Sequence, residues 1–137
     1  MAGYSGTPLV KKLGIKSGSR IYPWHAPQDY IKIVGALPAD ALVVPRLTSD
    51  TDIVHIFCKK RSELTECLRL CRKELREEST IWISWPKKSS KVPTEINEGL
   101  IREVALPLGF VDIKVCAVDD VWSGLKLVVR RENRKKP

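Results

Sequence analysis

The chain has 137 residues, of which 43% are hydrophobic and 29% are charged. This length and composition predict a single globular domain that buries its own core, and they exclude a low-complexity or fibrous protein. No apolar run approaches the roughly 20 residues that cross a bilayer. The net charge of +8 suggests an anionic partner, although five basic residues and one acidic residue between positions 130 and 136 supply half of it.

The first predicted element is a short helix that Thr7 and Pro8 begin and Gly14 ends. The next strand contains Pro23, which cannot donate to a sheet ladder and should therefore lie at the end of the strand or on an edge. The elements of the first part of the chain are thus a strand over 20–24, a helix over 27–34 and a strand over 41–44.

The strongest strand pattern covers residues 52–58, which are almost all apolar, as is typical of a strand buried on both faces. Ser62 is predicted to begin the longest helix, which runs to about Glu77. Apolar residues on one stripe of this helix indicate that it packs on a sheet. They are Leu64, Leu68, Cys71 and Leu75.

The second part of the chain begins with a strand over 80–85 and a polar loop, and Thr94 then begins a helix that ends at Pro107 and Gly109. Two further strands are joined by a connection that is too short for a crossover helix, so they should form an antiparallel hairpin. Their predicted ranges are 111–118 and 125–131.

This order of elements predicts a three-layer α/β fold with a mostly parallel six-stranded sheet and a C-terminal antiparallel hairpin. Residues 52–131 resemble the back half of class I methyltransferase-like Rossmann folds: a strand that opens with an aspartate, a helix, a strand that reaches Trp-x-x-Trp-Pro at 82–86, a helix and a terminal hairpin. The resemblance implies the strand order 2-1-3-4-6-5, in a trimmed version of that fold.

The sequence also resembles a bacterial domain family of unknown function. The resemblance implies a fold and no activity. The motifs that carry it are GYSGTPL at 3–9, KLGIK at 12–16, WPKK at 85–88, VALPLG at 104–109 and VWSGLKLV at 121–128.

A glycine-rich turn after the first strand normally lets the backbone approach a nucleotide-type cofactor. Here the chain reads His25, Ala26 and Pro27, without a glycine, and no acidic residue follows Val44 to hold a ribose. We therefore expect no cofactor and disfavour S-adenosylmethionine and methyl transfer. No motif indicates a catalytic residue.

Four lysines are the better candidates for ligand binding. Lys59 and Lys60 follow one predicted strand, and Lys87 and Lys88 follow its neighbour at a distance of about 4.8 Å between strands. Like charges this close repel unless an anion neutralises them, although lysines at strand ends also extend readily into water. His25 and Trp85 complete the candidate site at the carboxyl edge of the sheet.

The four cysteines form no CxxC pair and are not at zinc-ligand spacing from either histidine, so we expect free thiols and no metal site. The N-terminus has no secretory pattern, which predicts a cytoplasmic protein without a membrane segment. We expect a single α/β domain over 1–131, with 1–19 as a helical appendage and 132–137 as a basic flexible tail.

The function predicted from these features is non-enzymatic binding of an anion at the carboxyl edge of the sheet: a phosphate-bearing molecule, a nucleic acid or an acidic protein. The alternative is a degenerate or minimal enzyme that acts on a nucleotide or a phosphorylated substrate, with His25 transferring a proton. The oligomeric state and the biological process are left open.

Overall fold

The computed structural model describes residues 7–133. Residues 3–6 of the GYSGTPL motif and positions 134–137 of the predicted basic tail therefore lie outside the described residues. Short 3-10 turns cover Lys88–Ser90, Leu106–Leu108 and Arg131–Asn133. The helices and strands are α1 (Leu9–Leu13), β1 (Arg20–Trp24), α2 (Tyr30–Val34), β2 (Leu42–Val43), β3 (Ile53–Phe57), α3 (Arg61–Glu74), β4 (Thr80–Pro86), α4 (Glu98–Ala105), β5 (Phe110–Ala117) and β6 (Trp122–Val129).

The six strands form one sheet in the order β2-β1-β3-β4-β6-β5. Strands β1 to β4 pair in parallel, while β6 lies antiparallel between β4 and β5. The predicted α/β class, strand order and antiparallel hairpin are therefore confirmed. No helix within residues 7–133 is long and apolar enough to cross a membrane.

Helices cover the two faces of the sheet unequally. The long helices α3 and α4 pack on one face, against a core that includes Ile56, Ile83 and Trp85. On the other face the five-residue helices α1 and α2 cover Phe57 and Trp82. Trp82 and Trp85 thus point to opposite faces, as strand alternation requires.

Helix α1 is fixed to the sheet by a buried tryptophan. Leu9 and Leu13 are buried on the sheet, and the indole N–H of Trp82 donates a hydrogen bond of 3.1 Å to the carbonyl of Leu13. Since a buried indole needs such an acceptor, this bond positions the end of α1 over β4. Leu9 and Leu13 thus belong to the core on this face of the sheet.

Pro23 lies within β1, which is a central strand with partners on both sides. The carbonyl of Ile21 accepts from Val44 on the β2 side, and Pro23 has the same orientation two residues later. Strand β2 already ends at Val43. The missing N–H therefore faces a side where there is no ladder left to interrupt, which fits the constraint predicted for proline.

Three predicted helix starts are wrong. Helix α2 begins at Tyr30, after Asp29, rather than at residue 27. Helix α3 follows Lys60 rather than Ser62, because the carboxylate of Glu63 accepts the N–H groups at its start. Helix α4 begins after Asn97, whose side chain accepts from Leu100 N–H. Thr94 instead closes a local turn by accepting from Ile96 N–H, so the loop before α4 is longer than predicted.

The hairpin connection is also shorter than predicted, because β6 begins at Trp122. The carboxylate of Asp119 accepts the N–H groups of Val121 and Trp122, both at 2.8 Å, and this closes the turn. An aspartate in this role is ordinary turn chemistry. The earlier start brings Trp122 opposite Pro86, at the carboxyl end of β4.

A histidine lies inside the core. His55 on β3 is fully buried, and its ring nitrogens are hydrogen-bonded to the hydroxyl of Tyr30 on α2 at 3.0 Å and of Ser84 on β4 at 2.7 Å. Burial lowers the pKa of His55 to about 3, so the ring is neutral in the folded protein. This chain of three groups links α2, β3 and β4.

The buried histidine makes stability depend on pH. The unfolded chain protonates His55 below its ordinary pKa of about 6.5, whereas the folded protein does not, so the free energy of unfolding should fall as the pH drops from about 6.5 towards 3. We expect His55→Gln to melt at a lower temperature than wild type. Its melting temperature, measured by thermal unfolding, should change less between pH 7 and 5. An unchanged slope in His55→Gln would contradict this account.

Gly124 gives a test of packing between the hairpin and β4. A Cβ atom at this position would lie 3.1 Å from Val118 Cγ2 and 3.3 Å from Trp82 Cε3. We expect Gly124→Ala to lower the free energy of unfolding by about 1–3 kcal/mol in denaturant titrations, because the buried neighbours must shift. Ser123→Ala, one residue earlier, should cost less than about 0.5 kcal/mol.

Candidate ligand site at the carboxyl edge of the sheet

The sheet has a topological switch point between β1 and β3. The chain leaves β1 to form β2 on one side, whereas β3 pairs with β1 on the other side. Loops diverge at such a point, and open α/β sheets bind ligands there, outside the carboxyl ends of the strands. A cavity of about 350 Å³ lies at this place and is lined by His25, Pro27, Phe57, Cys58, Lys59, Glu63 and Trp122. We call it the switch-point cavity.

The loop after β1 forms one wall of the switch-point cavity. His25 has a φ of 55°, in the left-handed region that favours glycine. Its ring stacks on that of Trp24, with centroids 6.3 Å apart. The tight turn for which the sequence offers no glycine is therefore made by a histidine.

A carboxylate, that of Glu63, also lines the cavity. Oε1 of Glu63 accepts the backbone N–H groups of Lys59 and Lys60, each at 3.1 Å. The hydrogen bond from Lys59 is the main cause of a lowered pKa for Glu63, and Lys60 and the charge of His25 add to it. Glu63 thus stays ionised at neutral pH and brings a negative charge to the cavity.

Aromatic rings form the floor. Phe57 at the end of β3 contacts the edge of Trp122, with centroids 5.0 Å apart, and stacks on His55 at 4.3 Å. The floor of the cavity is in this way continuous with the buried polar chain beneath it. Trp122 was not among the predicted site residues, because its place at the carboxyl edge depends on the shortened hairpin turn.

A second, larger concavity lies beside the end of β4. Its volume is about 760 Å³, and its lining comes from the end of β4 and the long loop before α4, including Trp85, Lys88, Lys91 and Thr94. Lys91 has a φ of 60° at the end of the 3-10 turn. The hydroxyl of Thr94 donates to the carbonyl of Lys59, which ties this loop to the end of β3.

The predicted site residues are divided among several places at this edge. His25 and Lys59 line the switch-point cavity, and Trp85 and Lys88 line the concavity at β4. Lys60 lines a separate surface depression along the start of α3. Lys87 is half-buried, and its N–H donates to the carbonyl of Val121. The four lysines thus do not share one cavity, and their role in ligand binding stays a prediction.

The cysteines are free thiols. Cys58, Cys67 and Cys71 are buried, and Cys116 is half-buried. Burial raises the pKa of Cys58 and Cys67 to about 12, so neither is a thiolate at neutral pH. Within the part of the chain that the structure describes, no three His, Cys, Asp or Glu side chains are grouped as a metal site would require.

No protein-family model and no curated protein matches the sequence. Solved structures do match the fold. A putative type 11 methyltransferase from Sulfolobus solfataricus aligns with a TM-score of 0.64 at 11% identity, over 93% of each chain. The fibrillarin of Aeropyrum pernix, crystallised with natively bound S-adenosyl-L-methionine, aligns with a TM-score of 0.51 at 14% identity, over 92% of this chain and 70% of its own.

TrmN from Thermus thermophilus aligns with a TM-score of 0.57 at 11% identity and covers 88% of this chain, but this chain spans only 47% of TrmN. At these identities the similarity shows the fold. The chain has the class I methyltransferase-like Rossmann fold that the sequence resemblance implied.

The expectation of no cofactor, with S-adenosylmethionine disfavoured, is wrong as an inference from the sequence. Among the structures that share the fold, one is an S-adenosylmethionine-dependent methyltransferase from Aquifex aeolicus, and the Aeropyrum pernix fibrillarin contains the cofactor. The expectation depended on the absence of glycine after β1, and His25 reaches the left-handed conformation without it. The missing glycine is therefore not evidence against this cofactor.

Glu63 gives a test of how the cavity wall is held. We expect Glu63→Ala to lower the free energy of unfolding by about 1 kcal/mol, because two N–H groups at the start of α3 lose their acceptor. The exposed Glu66→Ala on the same helix should change it little. Since the pKa of Glu63 is lowered, the difference from wild type should shrink as the pH falls below about 4 in denaturant titrations. A loss equal to that of Glu66→Ala would contradict this role.

Proposed function

We propose that the switch-point cavity binds S-adenosylmethionine and that the chain is a small enzyme of the methyltransferase type. The observation that carries this proposal is the cavity itself, which lies between the carboxyl ends of β1 and β3 at the topological switch point. The similarity to methyltransferase structures supports it. The proposal corresponds to the enzyme alternative from the sequence more closely than to the non-enzymatic one.

The residues of the cavity fit this cofactor in size and charge. Its volume of about 350 Å³ lies in the range of small-molecule sites, which begins near 300 Å³. S-adenosylmethionine supplies an electrophilic methyl group on a sulfonium cation. The lining contains the ionised carboxylate of Glu63, which attracts such a cation, beside the opposite charge of Lys59, and the rings of Phe57 and Trp122 offer apolar surface to its uncharged parts.

His25 and Pro27, which follow β1, line this cavity. The role of His25 is therefore to shape the wall of the cavity on the β1 side.

The concavity at β4 is the place for a second substrate. Lys88 and Lys91 bring positive charge to it, and Trp85 brings apolar surface. The two carboxylates in the lining are engaged within the chain, Glu95 by the N–H of Arg61 and Glu98 by Arg102. Such a lining suits a nucleotide or a phosphorylated molecule, the substrate class of the sequence-based alternative. The tie between Thr94 and Lys59 brings this concavity next to the switch-point cavity.

Calorimetry with S-adenosylmethionine and S-adenosylhomocysteine tests the proposal. The wild-type chain should bind both. Glu63→Gln should weaken S-adenosylmethionine by about tenfold and S-adenosylhomocysteine less, because only the first carries the sulfonium charge. Glu66→Gln is the matched control and should bind as the wild type does.

Two results would contradict the proposal. One is the absence of heat with either compound while inorganic phosphate or a nucleotide binds, which would favour the non-enzymatic anion-binding function instead. The other is an equal loss in Glu63→Gln and Glu66→Gln, which would place the cofactor elsewhere.

A further inference from the structure

A group of lysines lies away from both cavities, on the face of the β5–β6 hairpin that α1 adjoins. Lys114 on β5 and Lys126 on β6 are directly paired across the strands, so their side chains leave the same face of the sheet. Lys126 also pairs with Trp82, whose side chain lies in the core under α1. The lysine pair is therefore on the α1 side.

Two more lysines reach this face from the N-terminal segment. Nζ of Lys12 on α1 donates to the carbonyl of Ala117 at the end of β5, at 3.2 Å. Lys16 follows Ile15, which is buried in the core on the same side. We call Lys12, Lys16, Lys114 and Lys126 the hairpin patch.

This face is open because its helices are short. Helices α1 and α2 have five residues each and cover the β1, β3 and β4 part of the sheet. The half-buried Lys126 has a lowered pKa, caused first by burial and then by the charges of Lys114 and Lys16. The positive charges of Lys114 and Lys16 thus repel that of Lys126 on this face.

Among residues 7–133, neither Lys114 nor Lys126 forms an ion pair with an acidic side chain. Asp112 on the same hairpin is held by Arg102 of α4, on the opposite face. Like charges directly opposite each other on a sheet are destabilising, so an anion from outside the chain would relieve the pair Lys114 and Lys126.

We propose that the hairpin patch binds the phosphate backbone of a nucleic acid. Lysines bind phosphate as point charges, and such contacts position a strand without reading its bases. An acidic protein partner fits less well, since the centres of protein interfaces need aromatic or apolar anchors and the members of this patch are lysines.

The patch also leads towards the switch-point cavity. Lys12 contacts Ala117, and Ala117 pairs with Ser123. Trp122, the residue before Ser123, lines the cavity. A strand bound along the hairpin would thus reach the edge where the cavities open. The proposal stands without the proposed function, because it needs neither the cofactor nor a reaction.

Binding of a short fluorescein-labelled single-stranded RNA to the full chain, followed by anisotropy over a range of KCl concentrations, tests this proposal. The double variant Lys114→Gln/Lys126→Gln should lose about tenfold or more in affinity at low salt. The slope of log K against log salt should become shallower by about 1.4, since each phosphate contact on a single strand contributes about 0.7. Arg69→Gln/Lys73→Gln on α3 removes the same charge from exposed positions of the opposite face and should keep most of the affinity.

Two further measurements separate charge from folding and from the class of partner. Lys114→Arg/Lys126→Arg keeps both charges and should restore the binding that the Gln variant loses. The Gln variant should melt no lower than wild type at low salt, because it removes a like-charged pair. Equal losses in the two Gln variants, or no restoration by Arg, would overturn the proposal. Displacement of the RNA by polyglutamate at equal charge concentration would also overturn it, in favour of an acidic polypeptide.

Discussion

The parallel pairing of β1 and β3 is the constraint on which the site depends. Residues 21–24 of β1 lie in register with 53–56 of β3, so the two strands end together at one edge. Because β2 is on the far side of β1, the loops that follow β1 and β3 separate at this edge and leave a cavity between them. This register brings three elements to one cavity: the loop with His25, the end of β3 with Phe57, and α3 with Glu63. A different strand order would disperse them.

The core supports this edge through a chain of contacts. Tyr30, His55 and Ser84 are joined by buried hydrogen bonds, and His55 stacks on Phe57, which in turn meets Trp122. A buried polar group without a partner is costly, so this chain favours one arrangement of α2, β3 and β4. Phe57 in the lining of the cavity is therefore packed directly on this buried chain. The face of the β5–β6 hairpin that carries the hairpin patch is instead open and positively charged.

Much of the fold could be predicted from the sequence because its signals are local. Apolar runs, helical stripes and the short hairpin connection indicated the elements, and the resemblance to class I methyltransferase-like folds implied the strand order. The starts of α3 and α4 could not be predicted from them, since several polar residues compete to accept the same N–H groups and Glu63 and Asn97 are the ones that do.

The site was harder to predict than the fold. The left-handed turn at His25 cannot be recognised from the sequence because no glycine marks it, and that absence is why the sequence predicts no cofactor. Trp122 reaches the cavity only because Asp119 shortens the hairpin turn, while Lys114 and Lys126 become neighbours only through the register of β5 and β6.

A crystal structure of the chain grown with S-adenosylhomocysteine would test the central claim most directly. The account predicts density for the ligand at the carboxyl ends of β1 and β3, in contact with the His25 loop and Trp122. Density at the concavity beside Trp85 alone, or an unchanged switch-point cavity at saturating ligand, would contradict it.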